Sequence, residues 1–481
     1  MGAPRVRFAP SPTGFFHVGS ARSSLFNWLF ARQTGGSYVL RIEDTDTERN
    51  REEWVDGIVE AMAWLGLSSD ERTYRQSEFA AAHAEAASLL FDAGHLYACD
   101  CVRDQIDERM RGTGRTGYDG HCRDRGLAQS DSTVLRFAVP GAGETVVHDI
   151  IRGDVAFPND AIEDFVVVKS NGGVLFALSN LVDDRAMEIT HVIRGEEHLS
   201  NTPKQLLLAA ALNAVEGRDI PAPAFAHLPL LVNEQRKKLS KRRDPVSVES
   251  YRDRGFLPEA MINFLALLGW SPKGDEEKVD RSVLVEQFRL EDVNNSPAYF
   301  DVAKLTHLNG EYIRALSTTD FIDACQPWLK PGSGAWSPAD HAVPWPAERF
   351  DDAVFAAIAP LVQERVATIG EVTGMVDFLF TEGAPIDPAA FDKAIRSQPS
   401  SRPVLEGVLE ATKTCAWDAD ALHDAVIAVG ERNGLVLRKA QAPVRVAITG
   451  RTVGPPLFES MTILGRASVR ERLESALRAL D

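Results

Sequence analysis

Three groups of residues in this sequence have types and spacings that can do chemistry. The first is the turn Pro10-Ser11-Pro12-Thr13-Gly14-Phe15-Phe16-His17-Val18-Gly19-Ser20. Its His-x-Gly-x unit offers the His17 imidazole, which can donate hydrogen bonds to phosphate oxygens as charge builds on them in a transition state. Gly19 lets a nucleotide lie close to the backbone, and the helix that starts at Ser20 presents its N-terminal dipole to phosphate. The second is Lys238-Leu239-Ser240-Lys241-Arg242, within Arg236 to Arg243, where six of eight residues are basic. A loop bearing lysines can close over a triphosphate and stabilise a phosphorus under attack. The third is Cys99-x-Cys101 followed by Tyr118-Asp119-Gly120-His121-Cys122-Arg123-Asp124. Three thiols plus one nearby ligand complete a tetrahedral structural zinc site, and His121 is a candidate fourth on chemistry alone. Taken singly, the first two signals are weak, because His-x-Gly-x recurs by chance and a basic run is commonly a solvated face.

The elements around these groups decide how they can be positioned. Arg5 to Ala9 reads as a short strand and Pro10 to Gly14 as a rigid turn. From Ser20, the residues Leu25, Phe26, Trp28 and Leu29 follow helical spacing up to Gly35-Gly36, and Tyr38 to Ile42 reads as a buried strand. This strand–loop–helix–strand opening is the start of a parallel nucleotide-binding sheet. Short strands at 133–139, 145–151 and 165–169 between glycine turns read as an insertion. Alternation resumes at Ile189–Arg194, followed by a helix from Pro203 that Thr202 can cap. After about residue 310 the chain reads as helical, with an amphipathic stripe of Val354, Ile358, Leu361, Val362, Val366 and Ile369 that carries Arg365. Residues 331–348, rich in Pro, Gly, Ser and Trp, read as a linker or long loop between helical layers.

The length of 481 residues predicts roughly three domains at about 150 residues each. A net charge of −17 argues against a general nucleic-acid coat protein. It does not exclude a tRNA enzyme, since basic patches act locally, within a Debye length of roughly 8–10 Å. No apolar run approaches the ~18–20 residues that span a bilayer. The segment Met1 to Arg7 is neither a signal peptide nor a transit sequence, so a cytoplasmic protein without membrane attachment is expected. Of the five cysteines, Cys325 and Cys415 are isolated and read as ordinary thiols. The clustering of the other three favours metal over a disulfide.

A His-x-Gly-x turn opening a strand–helix unit, with a Lys-x-Ser-Lys loop over two hundred residues later, resembles the class I aminoacyl-tRNA synthetases. The segments Arg7-Phe8-Ala9-Pro10-Ser11-Pro12-Thr13-Gly14, Arg41-Ile42-Glu43-Asp44-Thr45-Asp46 and Arg194-Gly195-Glu196-Glu197-His198 narrow the resemblance to bacterial-type glutamyl-tRNA synthetases. So do Phe256-Leu257-Pro258-Glu259-Ala260, Leu267-Leu268-Gly269-Trp270, Arg445-Val446-Ala447-Ile448-Thr449-Gly450 and Pro455-Pro456-Leu457-Phe458-Glu459. The resemblance implies an α/β N-terminal part, a Rossmann-type parallel sheet with an α+β insertion, and then an all-α anticodon-binding region. The implied boundaries are 1–100 and 189–310 for the halves of the catalytic domain, the second with a stem-contact junction and the lysine loop. They are 101–188 for an acceptor-stem-binding insertion and 311–481 for a helical anticodon-binding domain.

The implied activity is ATP- and Mg²⁺-dependent formation of glutamyl-adenylate, followed by transfer to the 3′-terminal adenosine of tRNA for glutamate. The resemblance assigns His17, Gly19, Lys238 and Lys241 to catalysis, with Ser20, Leu239 and Ser240 joining them at ATP. It assigns Arg7, Ser11, Glu43, Phe176, Asn180 and Arg194 to glutamate. Arg7 and Arg194 can grip the side-chain carboxylate and Glu43 can pair with the α-ammonium. Glu197 falls near the amino acid or the tRNA end. Arg365 matches a position that reads the third anticodon base and excludes tRNA for glutamine, which implies a discriminating enzyme. Zinc is implied at Cys99, Cys101 and Cys122, with Tyr118 or Asp124 as the fourth ligand. A monomer is implied, with tRNA needed for productive activation.

Two departures stand out: Phe176 replaces the usual pocket tyrosine, and the loop reads Leu-Ser-Lys-Arg where the familiar form has methionine and a final serine. A glutaminyl-tRNA synthetase ends in β-barrels, and the shorter tRNA-modifying paralogue lacks the helical third. A catalytically dead tRNA-binding module requires broken ATP motifs, whereas His17, Gly19 and Lys241 are present. A generic nucleotidylyltransferase accounts for the His-x-Gly-x turn but not for the helical region.

Overall fold

The computed structural model describes residues 2–46, 48–112, 117–239, 245–274, 276–334, 336–339 and 341–481. Ser240 and Lys241 of the lysine loop lie outside the described residues. The strands in chain order are β1 (Arg5–Phe8), β2 (Ser37–Ile42), β3 (Tyr74–Arg75), β4 (Leu96–Cys99), β5 (Val134–Phe137), β6 (Glu144–Asp149), β7 (Gly153–Pro158), β8 (Val166–Val168), β9 (His191–Gly195), β10 (Ala224–Leu228), β11 (Leu231–Val232) and β12 (Ala298–Tyr299). The chain forms two compact units, the first comprising 1–250 and 261–302 and the second 251–260 and 303–481.

The first unit is built on a seven-stranded sheet in the order β3-β2-β1-β9-β10-β6-β7, parallel except for the terminal β6–β7 hairpin. Strand β2 is buried along nearly its whole length, as a parallel strand covered on both faces must be. The helix Val18–Thr34 covers one face with Leu25, Phe26, Leu29 and Phe30 and ends at Gly35, whose φ of 67° is the left-handed conformation that a residue without Cβ adopts freely. From β1 the order runs one way through β2 and β3 and the other way through β9 and β10. The switch point therefore lies between β1 and β9, where open α/β sheets place their ligand crevice.

A separate antiparallel sheet, β4-β5-β8, carries its own core of Leu96, Leu135, Phe137, Phe165 and Val167 under Leu90, Leu178 and Leu208. The β6–β7 hairpin does not join it. Asp149 of β6 pairs with Phe225 of β10, which puts the hairpin on the edge of the main sheet. The helix after β9 runs from Thr202 to Glu216, with Pro203 in its first turn. Asn201, not Thr202, is its N-cap residue, and neither supplies a side-chain cap. Thr202 Oγ1 is engaged elsewhere, accepting from Arg194 Nη2 at 2.9 Å.

The second unit is helical. One core gathers Phe321, Cys325, Trp328, Phe355, Ile358, Val362 and Val376, and another gathers Val404, Leu405, Val426, Val444, Ile448, Met461 and Leu473. Arg472 ties them, donating to Ile448 O and Phe378 O, each at 2.6 Å. The segment 331–348 is more than a linker, because Trp345 is buried in the first of these cores. Cys325 is a core thiol and Cys415 is half-buried against the other core. Among the described residues, no helix is long and apolar enough to cross a membrane.

Candidate active site

At the switch point, the ends of β1 and β9 open into a cavity of about 440 Å³. Its lining contains all six residues assigned to glutamate, Arg7, Ser11, Glu43, Phe176, Asn180 and Arg194. It also contains His17, Gly19, Ser20, Glu197, Lys238 and Leu239. Residues separated by more than two hundred positions therefore share one cleft.

One end of the cleft is set by the turn before the first helix. His17 is the N-cap of Val18–Thr34, and its Nδ1 accepts from Gly19 N at 2.9 Å. In a neutral imidazole that contact fixes the tautomer with hydrogen on Nε2, so the ring is a donor at Nε2. A side chain at position 19 would sit 3.2 Å from the His17 ring, tighter than ordinary packing. The two ends of the lysine loop are held at the same corner. On one side Leu239 N donates to Leu231 O at 3.1 Å; on the other Val18 N donates to Val246 O at 2.8 Å, and Val248 N to Phe16 O at 3.0 Å. Lys238 Nζ lies 3.7 Å from Glu197 Oε1, an exposed pair.

The floor is a buried charge network. Arg7 Nε donates to Asp184 Oδ1 at 3.0 Å and Nη2 to Asp184 Oδ2 at 3.2 Å. Arg41 Nη1 donates to Asp184 Oδ1 at 2.7 Å, and its Nε lies 3.5 Å from Asp183 Oδ2. Asn180 Nδ2 donates to Glu43 Oε1 at 2.5 Å. Burial raises the Glu43 pKa against the nearby charges of Arg41 and Arg7. Against the same burial penalty, Arg7 and Arg41 hold the Asp184 carboxyl below its usual range. Asp184 and Arg41 were absent from the predicted site. The signal was Asp184 four residues after Asn180, on the same face of the helix Phe176–Ala186.

Arg194 differs from the other two arginines. It is buried, and its partners are neutral: Nη2 donates to Thr202 Oγ1 at 2.9 Å and Gln205 Oε1 at 2.8 Å, and Nε to His227 Nε2 at 3.2 Å. Nη1 has no hydrogen-bond partner, and no carboxylate lies within 4.0 Å of this guanidinium among the described residues. Burial, reinforced by the Arg7 charge, lowers its pKa. His227 takes its tautomer from behind, donating through Nδ1 to Asp149 Oδ2 at 2.6 Å, which leaves Nε2 to accept from Arg194. Phe176 packs against His198 at a ring-centroid distance of 5.4 Å. Burial and then the Arg194 charge push His198 down to about 4, so the ring is neutral near pH 7. Arg194 thus gives the cleft a buried cation with an unused donor and no carboxylate partner, an arrangement that can receive an anionic group.

The three cysteines converge outside this cleft. Their Sγ atoms all lie within 4.8 Å of one another, with Cys101 and Cys122 at 3.4 Å. Tyr118 Oη is 3.4 Å from Cys99 Sγ and accepts from Cys122 N at 2.7 Å. Tetrahedral zinc with Zn–S of about 2.3 Å needs sulfurs roughly 3.8 Å apart, so this donor set fits the ion with small shifts. Tyr118 is buried in the cluster, whereas Asp124 and His121 are exposed.

In the second unit, Arg365 lies just beyond the helix Asp352–Gln363, not on its stripe. The helical spacing continues past the helix end because Val366 and Ile369 remain buried there, Ile369 opening a short 3-10 turn. Arg365 is exposed, its Nη1 donating to Leu361 O at 3.2 Å. Burial and the charge of Arg365 both lower the pKa of Arg445.

Comparison with known proteins agrees with this geometry. The family described as tRNA synthetases class I (E and Q), catalytic domain, matches residues 4–307, and an anticodon binding domain family matches residues 320–477. The chain is 54% identical over 477 residues to a glutamate–tRNA ligase of Frankia alni, covering 99% of this chain and 98% of that one. It is 52% identical to a glutamate–tRNA ligase of Thermobifida fusca, covering 99% and 98%. Among solved structures, a glutamate tRNA ligase from Elizabethkingia meningosepticum in complex with its amino acid superposes with a TM-score of 0.81 at 29% identity, covering 100% of both chains. A glutamate–tRNA synthetase from Elizabethkingia anophelis gives 0.80 at 29% identity, covering 99% of this chain and 100% of that one.

Proposed function

This chain belongs to the glutamate–tRNA ligases of class I, and from that premise we propose how its cleft divides the work between glutamate, ATP and tRNA. The carrying observation is the buried Arg194 with its unused Nη1. A side-chain carboxylate of glutamate there gives the guanidinium the anion it lacks, while glutamine offers only a neutral amide. Arg7, fixed by Asp184, adds positive potential, and Glu43 faces the α-ammonium, with Ser11, Asn180 and Phe176 shaping the pocket.

The α-carboxylate then attacks the α-phosphorus of MgATP, forming a P–O bond as the bond to the β-phosphate breaks and pyrophosphate leaves. His17 Nε2–H donates to the phosphate oxygens beside Gly19, Ser20, Lys238 and Leu239, and Ser240 and Lys241 are assigned to ATP by the family motif alone. The 2′-hydroxyl of the terminal ribose next attacks the activated carbonyl and AMP leaves. Glu197, paired with Lys238, stands near the tRNA end. The reading includes a monomer acting in the cytoplasm, with tRNA present for productive activation.

Arg365 is proposed to read the third anticodon base. Purified tRNA for glutamate and tRNA for glutamine, each offered labelled glutamate and glutamine, should give glutamate on tRNA for glutamate alone. Glutamate on both tRNAs would discard Arg365 as a discriminator, and charging with neither would overturn the cleft assignment.

Zinc is proposed at Cys99, Cys101 and Cys122 with Tyr118, which its place in the cluster favours over Asp124. When bound, the ion would cross-link these segments of the insertion. Elemental analysis should find about one zinc per chain, as a single tetrahedral site requires, and Cys99→Ser should release it. A metal-free, fully active preparation would remove the site.

A further inference from the structure

Each of the three clustered thiols carries its own guanidinium. Arg136 Nε donates to Cys99 Sγ at 3.3 Å, Arg109 Nη2 to Cys101 Sγ at 3.3 Å, and Arg125 Nη1 to Cys122 Sγ at 3.1 Å. These arginines come from three separate segments: the helix Arg103–Met110, the loop after Cys122, and β5. None is loose. Arg109 is clamped by Asp119 at 2.5 and 3.1 Å, and Arg125 by Asp100 at 2.7 and 3.2 Å. Arg136 donates to Asp164 O at 2.8 Å and lies 3.7 Å over the Tyr118 ring. Asp100 Oδ1 itself is 3.4 Å from Cys122 Sγ, a contact acceptable to a thiolate only while Arg125 stands between the charges.

We propose that Arg109, Arg125 and Arg136 are positioning residues for zinc, a guanidinium shell that holds the sulfurs as metal ligands and retains the ion. The inference rests on the zinc reading above. A divalent ion with three thiolates carries at least one net negative charge, before the fourth ligand is counted, in a largely buried place. Ordinary structural sites offset such charge with backbone amides or water. Here three cations surround it, two of them already balanced by Asp100 and Asp119, so the third offsets a unit of the negative charge on the ligands. N–H···S bonds of this kind also draw electron density from the sulfurs, making them poorer nucleophiles toward alkylating agents. Partners that orient metal ligands typically contribute about 10- to 100-fold to metal affinity.

The test uses the full-length protein loaded with zinc and, in parallel, with cobalt(II). Arg109→Ala and Arg125→Ala are the variants of choice, because both side chains reach the surface whereas Arg136 is buried. Competition with a chromophoric chelator should show affinity lowered by about 10- to 100-fold in each. Arg109→Lys and Arg125→Lys should recover part of it. The thiolate-to-cobalt charge-transfer band should shift in the alanine variants, and N-ethylmaleimide should eject zinc faster. A purely structural arginine would leave that band in place. Zinc affinity within about twofold of the parent with an unmoved cobalt band overturns the shell while zinc binding by the parent keeps the site. A parent protein that takes up neither ion fails the zinc reading itself, and the shell with it.

Discussion

Replacing Arg194 by alanine is expected to lower kcat/KM for glutamate by roughly 30- to 4,000-fold. Truncating one member of a buried, hydrogen-bonded charge pair costs about 2–5 kcal/mol, and each 1.4 kcal/mol is about tenfold. Arg194 is placed for the upper part of that range, because its other contacts are neutral and its Nη1 is unused. The loss should fall on glutamate alone, with the KM for ATP nearly unchanged. Arg194→Lys should lie between, since an ammonium keeps the charge but not the planar fork that meets Thr202, Gln205 and a ligand together. Pyrophosphate exchange at varied glutamate, with tRNA present, measures this. A loss under about tenfold in Arg194→Ala would move the carboxylate elsewhere in the cleft, with Arg7 the next candidate.

His17→Ala is expected to slow adenylate formation by about 10²- to 10³-fold, the usual cost of deleting one donor aimed at developing negative charge. The residue also caps the helix Val18–Thr34, and losing a cap costs about 1 kcal/mol of stability. His17→Asn separates the roles. Its side-chain oxygen can still accept from Gly19 N, but it lacks a ring donor at Nε2. It should keep the melting temperature and still lose the rate. Transfer from preformed glutamyl-adenylate to tRNA should hardly change in either variant. If His17→Asn were as active as the parent, the histidine would be a cap and nothing more.

Much of this site was legible because its information is local. The turn 10–20, the strand at 38–42 and the paired cysteines announce themselves over a few residues, and glycine, proline and helical spacing mark their elements. What stayed hidden depends on contacts between distant residues. Asp184 meets Arg7 across 177 positions and Arg41 across 143, and no periodicity links them. Thr202 has the composition of a helix cap, yet a buried guanidinium claims its hydroxyl. The β6–β7 hairpin alternates like any antiparallel ribbon, so only its partner β10 shows which sheet it extends. Arg365 was placed on a helix because Val366 and Ile369 keep the spacing after the helix has ended at Gln363. In the cysteine cluster the spacing found the sulfurs, while the burial that sets Tyr118 apart from Asp124 and His121 appears only in the fold.

The strand-like pairing that joins residues 246–248 to the backbone around His17 has a consequence for the growing chain on a ribosome. The first helix lies near the N-terminus, but the corner proposed to handle phosphate needs the segment beyond the lysine loop. The short strand β11 that leads into that loop finds its own partner only in β12, at Ala298 and Tyr299. For most of its synthesis the nascent polypeptide therefore carries the turn without the contacts that set it. Such a long-range closure forms late and cooperatively, since the entropy of joining distant segments must be met before their contacts can repay it. A chain released before residue 246 would hold the histidine turn without the contacts that set it, and one released before residue 298 would still lack the β11–β12 pairing.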